Sequence, residues 1–334
     1  MSLVGEFIVT RVTTLGDTSQ YQRSVFTIFE TRPGFSFGSL IEDGRYYSTV
    51  ITESIGAVFH ALLFGSPILI DFVFQSIAFV GIYKFLTAVP EAERKYLAVL
   101  IITPSFNLWS SVAAKEPLLV FFVGVICAHF VRIYLDHARI GLLEIISAVG
   151  IFLFKVHYVP TLVFIYFSII LARKVKQKSA LAITVGMMSL VPLYLAKDKL
   201  DAMAFRILPH FLGYGHSRDA YWVEKYDVFT KAPYGMFQGF FGPTIAESQL
   251  GILQFASFLE SSAIVGVLLL LLLRDTARIP MYCWFVGIFA LGWLLFASYP
   301  LGIMNSGSAI RYRTGHLLLV FFIFAITFSR SHFI

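Results

Sequence analysis

Residues 104–135 read PSFNLWSSVAAKEPLLVFFVGVICAHFVRIYL. The part from Pro117 to Leu135 is an apolar run long enough to cross a bilayer as a helix. The part before it is a Pro-broken, Ser-rich turn bearing Trp109, and it ends in the adjacent ion pair Lys115-Glu116. Ionisable residues at such a boundary are costly and are usually kept for function. Working outward, about nine runs of spanning length can be placed, near residues 67–89, 96–113, 117–135, 140–155, 157–172, 180–196, 249–273, 280–299 and 312–329. The stretch 49–64 is apolar but short and carries Glu53 and His60, which suits a helix lying in the interface or re-entering better than one crossing it. The expected fold is all-α, a polytopic membrane protein with about nine transmembrane helices plus an interfacial or re-entrant helix. It divides into an N-terminal extracytoplasmic segment (1–66), a first helix bundle (67–196), a long extracytoplasmic loop (197–248) and C-terminal membrane helices (249–334).

Composition agrees: the 334 residues are 57% hydrophobic and only 14% charged, against roughly 25% charged in soluble proteins. Phe and Tyr are abundant, at 35 and 16 residues, as lipid-facing surfaces and interfacial belts require. A net charge of +6 is explained by basic cytoplasmic loops, and no nucleic-acid motif accompanies it. Cys127 and Cys283 both fall inside apolar runs, so neither a disulfide framework nor a metal site can be built from them. The first eleven residues lack a basic n-region and a sufficient apolar core for a cleaved signal peptide, so targeting is expected to use the first span.

Loop charge sets the orientation. Residues 173–178 carry four basic residues and no acid, which puts them in the cytoplasm by the positive-inside rule. Alternation then makes 93–95, 136–139 and 274–278 cytoplasmic, and places the Lys115-Glu116 turn, the stretch 197–247 and the loop 300–311 outside. The stretch 197–247 has six basic and six acidic residues, a balance compatible with translocation. On this topology the outer face gathers Asp17, Glu42, Asp43, Arg45, Lys115, Glu116, His157, His210, His216, Glu247, Arg311 and Arg313.

Such a set resembles a site floored by the membrane and roofed by loops. Asp17 follows the flexible Gly16 and is the first candidate for a general base, with Glu116 the second; the plain alternative is that Asp17 caps a helix starting at Thr18. Tyr21, one helical turn on, offers a ring for stacking on a sugar. Glu116-Pro117 makes a sound helix start, yet that leaves Lys115 unfavourably placed at the same positive end, so a phosphate is its natural partner. Arg311 and Arg313 are about 200 degrees apart on a helix, so at most one faces a site; a guanidinium suits pyrophosphate through bidentate hydrogen bonds. His157 before Pro160, and Glu247 after the turn Gly239-Phe240-Phe241-Gly242-Pro243, complete the candidate substrate-binding residues. No GxSxG, Walker loop, HExxH or zinc-finger spacing occurs, and no metal or cofactor is expected.

Gly16-Asp17 with Tyr21, Pro104-Ser105, Trp109-Ser110-Ser111 and Lys115-Glu116, and the terminal Arg311-Tyr312-Arg313 together resemble the bacterial surface-polysaccharide polymerases of the Wzy type and their relatives among the GT-C glycosyltransferases. The resemblance is loose over residues 17–313 and most specific in the Pro-Ser to Lys-Glu block. It implies an enzyme of the cytoplasmic (inner) membrane that uses polyprenyl-phosphate-linked sugars or oligosaccharides on the outer face, with other assembly proteins as partners. Arg311 or Arg313 would bind carrier phosphate, and an acid would deprotonate the acceptor hydroxyl. Two departures stand out: such relatives usually carry a membrane span before the Gly-Asp segment, and often an Arg where His157 stands here ahead of Pro160. The rival classes are a transporter or flippase for lipid-linked sugars and a non-catalytic membrane subunit of an assembly complex.

Overall fold

The computed structural model describes residues 2–3, 17–24, 44–91, 94–95, 97, 103–136, 138–172, 174–207, 218, 221–275 and 280–327. The described elements are helical: α1 (Thr18–Gln22), α2 (Gly44–Leu62), α3 (Pro67–Ala88), α4 (Pro104–Trp109), α5 (Lys115–Asp136), α6 (Leu142–Lys155), α7 (Val159–Ala172), α8 (Lys178–Leu195), α9 (Lys197–Ile207), α10 (Asp227–Thr230), α11 (Ala232–Phe241), α12 (Ile252–Asp275), α13 (Met281–Gly302) and α14 (Ser306–Thr327). Six of the described helical stretches are long and apolar enough to cross a membrane, which makes this a multi-pass membrane protein.

Against the nine spans expected from the sequence, the described residues offer six candidates; the expected span 312–329 runs beyond the described residues, and α14 is not among the six. Residues 140–155 and 157–172 form one candidate span, Leu142–Leu171. A 3-10 turn at Val156–Tyr158 joins α6 to α7, and Val156 keeps right-handed helical dihedrals. Fourteen residues apiece rise only about 21 Å, short of a bilayer core of about 30 Å. Pro160 is tolerated because it falls in the first turn of α7, where its missing N–H has no helical partner to lose. The run 96–113 lies partly outside the described residues, and its described end is the six-residue α4 followed by bends. The loop expected at 300–311 is mostly helix: α13 continues through Pro300 to Gly302. The Asn305 carboxamide oxygen then accepts the N–H groups of Gly307 (2.8 Å) and Ser308 (3.1 Å) to start α14. Likewise, the loop expected at 197–248 contains α9, α10 and α11. Residues 49–62 of the stretch 49–64 fall within α2, a continuous 19-residue helix that is not among the six candidate spans.

The chain forms two compact units. The first comprises residues 1–132, 136–156 and 314–319. In it α3 and α5 run parallel, since Asp71 near the start of α3 meets Ala113 just before α5, and Gly81 further along meets Phe121 and Gly124. A Cβ on Gly124 would collide with the Gly81 carbonyl; small residues admit this close backbone approach in membrane helices. On the other side of α5, Phe122 fills the space over Gly150 of α6. The second unit comprises residues 133–135, 157–313 and 320–334. Here α13 is the central helix. Phe289 packs over Gly186 of α8, Trp293 Nε1 donates to Ser189 Oγ (2.7 Å), and Tyr282 Oη donates to the Ser168 carbonyl of α7 (2.6 Å). At the end of α13, Tyr299, Ile303 and Met304 share a core with Trp222, Val228 and Ala232, which fixes α10 and α11.

Candidate functional site

A five-residue helix has no stability of its own, because isolated helices below about 12–15 residues are marginal in water. α1 is held instead by its side chains. Gln20 Nε2 donates to Glu53 Oε1 in the middle of α2, and Gln22 Nε2 donates to Asp71 Oδ1 of α3 (3.0 Å). Asp71 Oδ1 also accepts the N–H of Ala113 (2.7 Å). Two residues further on, Lys115 Nζ donates to Thr49 Oγ1 (2.6 Å), and Thr49 stands one turn before Glu53 on α2. The contacts close a polar ring through α1, α2, α3 and the start of α5. Glu53, Asp71 and Glu116 are all buried, at 1%, 0% and 3% exposure. Beside the ring, Ser2 Oγ donates to Gln75 Oε1 (2.6 Å) and sits 2.9 Å from the Ser111 carbonyl.

Of the candidates in the first unit, Lys115 enters the ring directly, while Asp17 and Tyr21 belong to α1 and Glu116 to the start of α5. Asp17 is exposed at the start of α1, where its backbone carbonyl accepts the N–H groups of Gln20 (3.0 Å) and Tyr21 (3.2 Å). It occupies the N-cap position, as the plain reading of its sequence holds, but makes no side-chain capping bond. Lys115 and Glu116 open α5. Tyr21 is fully buried, with its carbonyl pressed against Gly56 of α2. Its ring is buried in the packing of the first unit, where the sequence expectation had it stack on a sugar.

The remaining candidates belong to the second unit, and there the charges are engaged with each other. Glu247 takes a bidentate pair from Arg218, with Nε to Oε1 at 2.5 Å and Nη2 to Oε2 at 3.1 Å. Arg218 Nη1 also donates to the carbonyls of Gly302 (3.0 Å) and Ile303 (2.8 Å), closing the end of α13. Burial raises the Glu247 carboxyl, but the Arg218 guanidinium and the Thr244 N–H and hydroxyl outweigh it, so the group stays below the usual carboxylate range. Nearby, Asp227 is held well below that range by Lys231 and by the N–H groups of Glu224 and Val223. Arg313 is 1% exposed. Its Nη2 meets Glu260 Oε1 at 2.6 Å and its Nη1 donates to Ser261 Oγ at 2.7 Å, while Ser261 donates to the Gly242 carbonyl (3.1 Å). Arg311 is half-buried, so the two arginines diverge as their spacing requires. His157 is half-buried in the turn between α6 and α7, edge-on to Tyr158 at 4.8 Å.

Gly16, Glu42, Asp43, His210 and His216 lie outside the described residues, as does the Arg45 side chain.

Sequence reasoning missed Asp71, Glu260 and Arg218 and used Glu53 only to judge depth. The signal was present for the acids: Asp71 is the one carboxylate of α3 and Glu260 stands alone in the apolar part of α12, ahead of the terminal Asp275, where a charge needs a partner. Among the described residues no group of three His, Cys, Asp or Glu side chains could hold a metal ion. No protein-family model, curated protein or solved structure matches the chain.

Proposed function

We propose that the protein is a membrane glycosyltransferase or polymerase that assembles surface or exopolysaccharide from sugar units carried on polyprenyl phosphate, working at the polar ring of the first unit. The observation that carries this reading is the pinning of α1. Buried acids in two other helices are engaged in holding a short segment that cannot stand alone, and the segment ends in the exposed Asp17. Asp17 then serves as general base toward the acceptor hydroxyl, an effect worth roughly a hundred- to ten-thousandfold in rate. Lys115, at the start of α5, supplies the point charge for the carrier phosphate, with Glu116 beside it. Arg313 has no part in this version of the site, since its guanidinium is committed to Glu260.

A second reading, a transporter or flippase for lipid-linked oligosaccharides, is favoured by the ion pair Arg313–Glu260, buried between two apolar helices; intramembrane charges of this kind recur on transport pathways. Deleting the gene separates the two. A transferase or polymerase leaves a lipid-linked unit, lacking one sugar or unpolymerised, on the leaflet where transfer occurs. A flippase leaves the complete unit on the cytoplasmic leaflet. Normal polysaccharide in the deletion strain rules out both.

A further inference from the structure

α5 and α6 face each other along a strip fixed at both ends. At one end Arg132 Nη2 meets Glu144 Oε1 at 3.4 Å; at the other Phe122 lies over Gly150. Residues 122, 129 and 132 share one face of α5, and 144, 147 and 150 share one face of α6, by the spacing of three and seven. His129 and Ser147 therefore lie on the facing sides of the two helices, each between the two fixed contacts. Both are buried, at 3% and 0% exposure, and His129 Nε2 and Ser147 Oγ have no hydrogen-bond partner among the described residues.

Ser147 is one of four buried helical serine or threonine hydroxyls without a partner among the described residues, with Thr161, Ser168 and Ser298. A serine or threonine inside a helix ordinarily satisfies itself on the carbonyl four residues back, as Thr52, Ser54 and Ser76 do here at 2.7, 2.7 and 2.8 Å. Ser147 does not. Two buried polar groups left unmet on the facing sides of neighbouring helices carry a desolvation cost that a small polar guest removes. A buried imidazole and hydroxyl suit water as that guest, since a buried water bonds to two to four polar groups.

We propose that His129 and Ser147 hold a buried water molecule in a proton-accepting site between α5 and α6, with the Arg132–Glu144 pair at its mouth. With the neutral imidazole protonated on Nδ1, Nε2 accepts from the water and the water accepts from Ser147 Oγ. When a proton arrives, Nε2–H donates to the water oxygen and the water donates to Ser147 Oγ, so the same three groups serve both states. Glu144 on α6 and Arg132 on α5 are the charged groups acting on the ring. The site stands independently of the glycosyl-transfer reading and needs no glycan substrate to test.

The test is thermal unfolding of the purified, detergent-solubilised protein between pH 5 and pH 8, with wild type, Ser147→Ala, His129→Gln and the self-satisfied control Ser76→Ala. A water anchored by Ser147 makes Ser147→Ala destabilising beyond the control, and the pH dependence of the wild-type midpoint shrinks in His129→Gln. A Ser147→Ala protein as stable as wild type, or the same pH dependence in His129→Gln, overturns the proposal. Ser147→Cys in a background lacking Cys127 and Cys283 gives a second readout: labelling by a small water-soluble thiol reagent is expected, and complete protection contradicts a hydrated site.

Discussion

Two carboxylates in each unit are met by different kinds of donor. In the first, Glu53 and Asp71 receive the carboxamides of Gln20 and Gln22 and the N–H of Ala113. In the second, Glu247 and Glu260 receive the guanidiniums of Arg218 and Arg313. The guanidinium pairs tie long elements together: Arg313–Glu260 joins α14 to α12, and Arg218–Glu247 holds the loop after α11 against the end of α13. The carboxamide bonds hold a single turn of helix in place. The lesson is that charge pairing here maintains the fold, whereas the neutral donors position a segment. A functional group is more usefully sought on the segment that must be positioned.

The largest effect expected from this contrast concerns Glu260. Its replacement by Leu leaves Arg313 charged and buried, a loss of about 3–5 kcal/mol when one partner of a buried pair is removed. Glu260→Leu combined with Arg313→Met should recover most of it. Unfolding midpoints in detergent read both, and a single variant as stable as the wild type would break the distinction between the units. Next comes Gly124→Leu, which forces side-chain atoms into the Gly81 carbonyl and should cost about 1–3 kcal/mol by overpacking, seen as a lowered midpoint. Smallest in global stability is Gln22→Leu. It removes one donor from Asp71, worth about 1–3 kcal/mol at most, and its clearer signature is local: trypsin should cleave after the exposed Arg23 faster while the midpoint changes little. Unaltered cleavage would mean that Gln22 does not hold α1.

Much of the architecture was legible because lipid imposes a simple rule. Runs such as 67–89 and 117–135 are apolar enough to be helices without knowledge of their neighbours, and α3 and α5 match them within two residues. Boundaries failed where a local signal was read in isolation. Pro300 looked like a break, yet α13 passes through it, and the helix that follows is started by Asn305. Pro160 looked like a turn between two spans, but it sits where a helix accepts proline. The site was legible only by residue type. Lys115, Glu116 and Asp17 stood out as charges beside apolar runs, but nothing local announces that Gln20 meets Glu53, 33 positions away, or that Gln22 meets Asp71, 49 away. Arg218 was one of six bases in a neutral stretch, and its match with Glu247 depends on where the chain returns to α13.

Asp17 on its pinned helix is the centre of the functional account. The direct measurement is polysaccharide production by a deletion strain carrying Asp17→Asn, with membrane protein levels and the unfolding midpoint matched to wild type. The account predicts loss of polymer and accumulation of the lipid-linked unit, since Asp17 is exposed and its amide preserves the shape of α1. Wild-type polymer yield and length from that strain would contradict it.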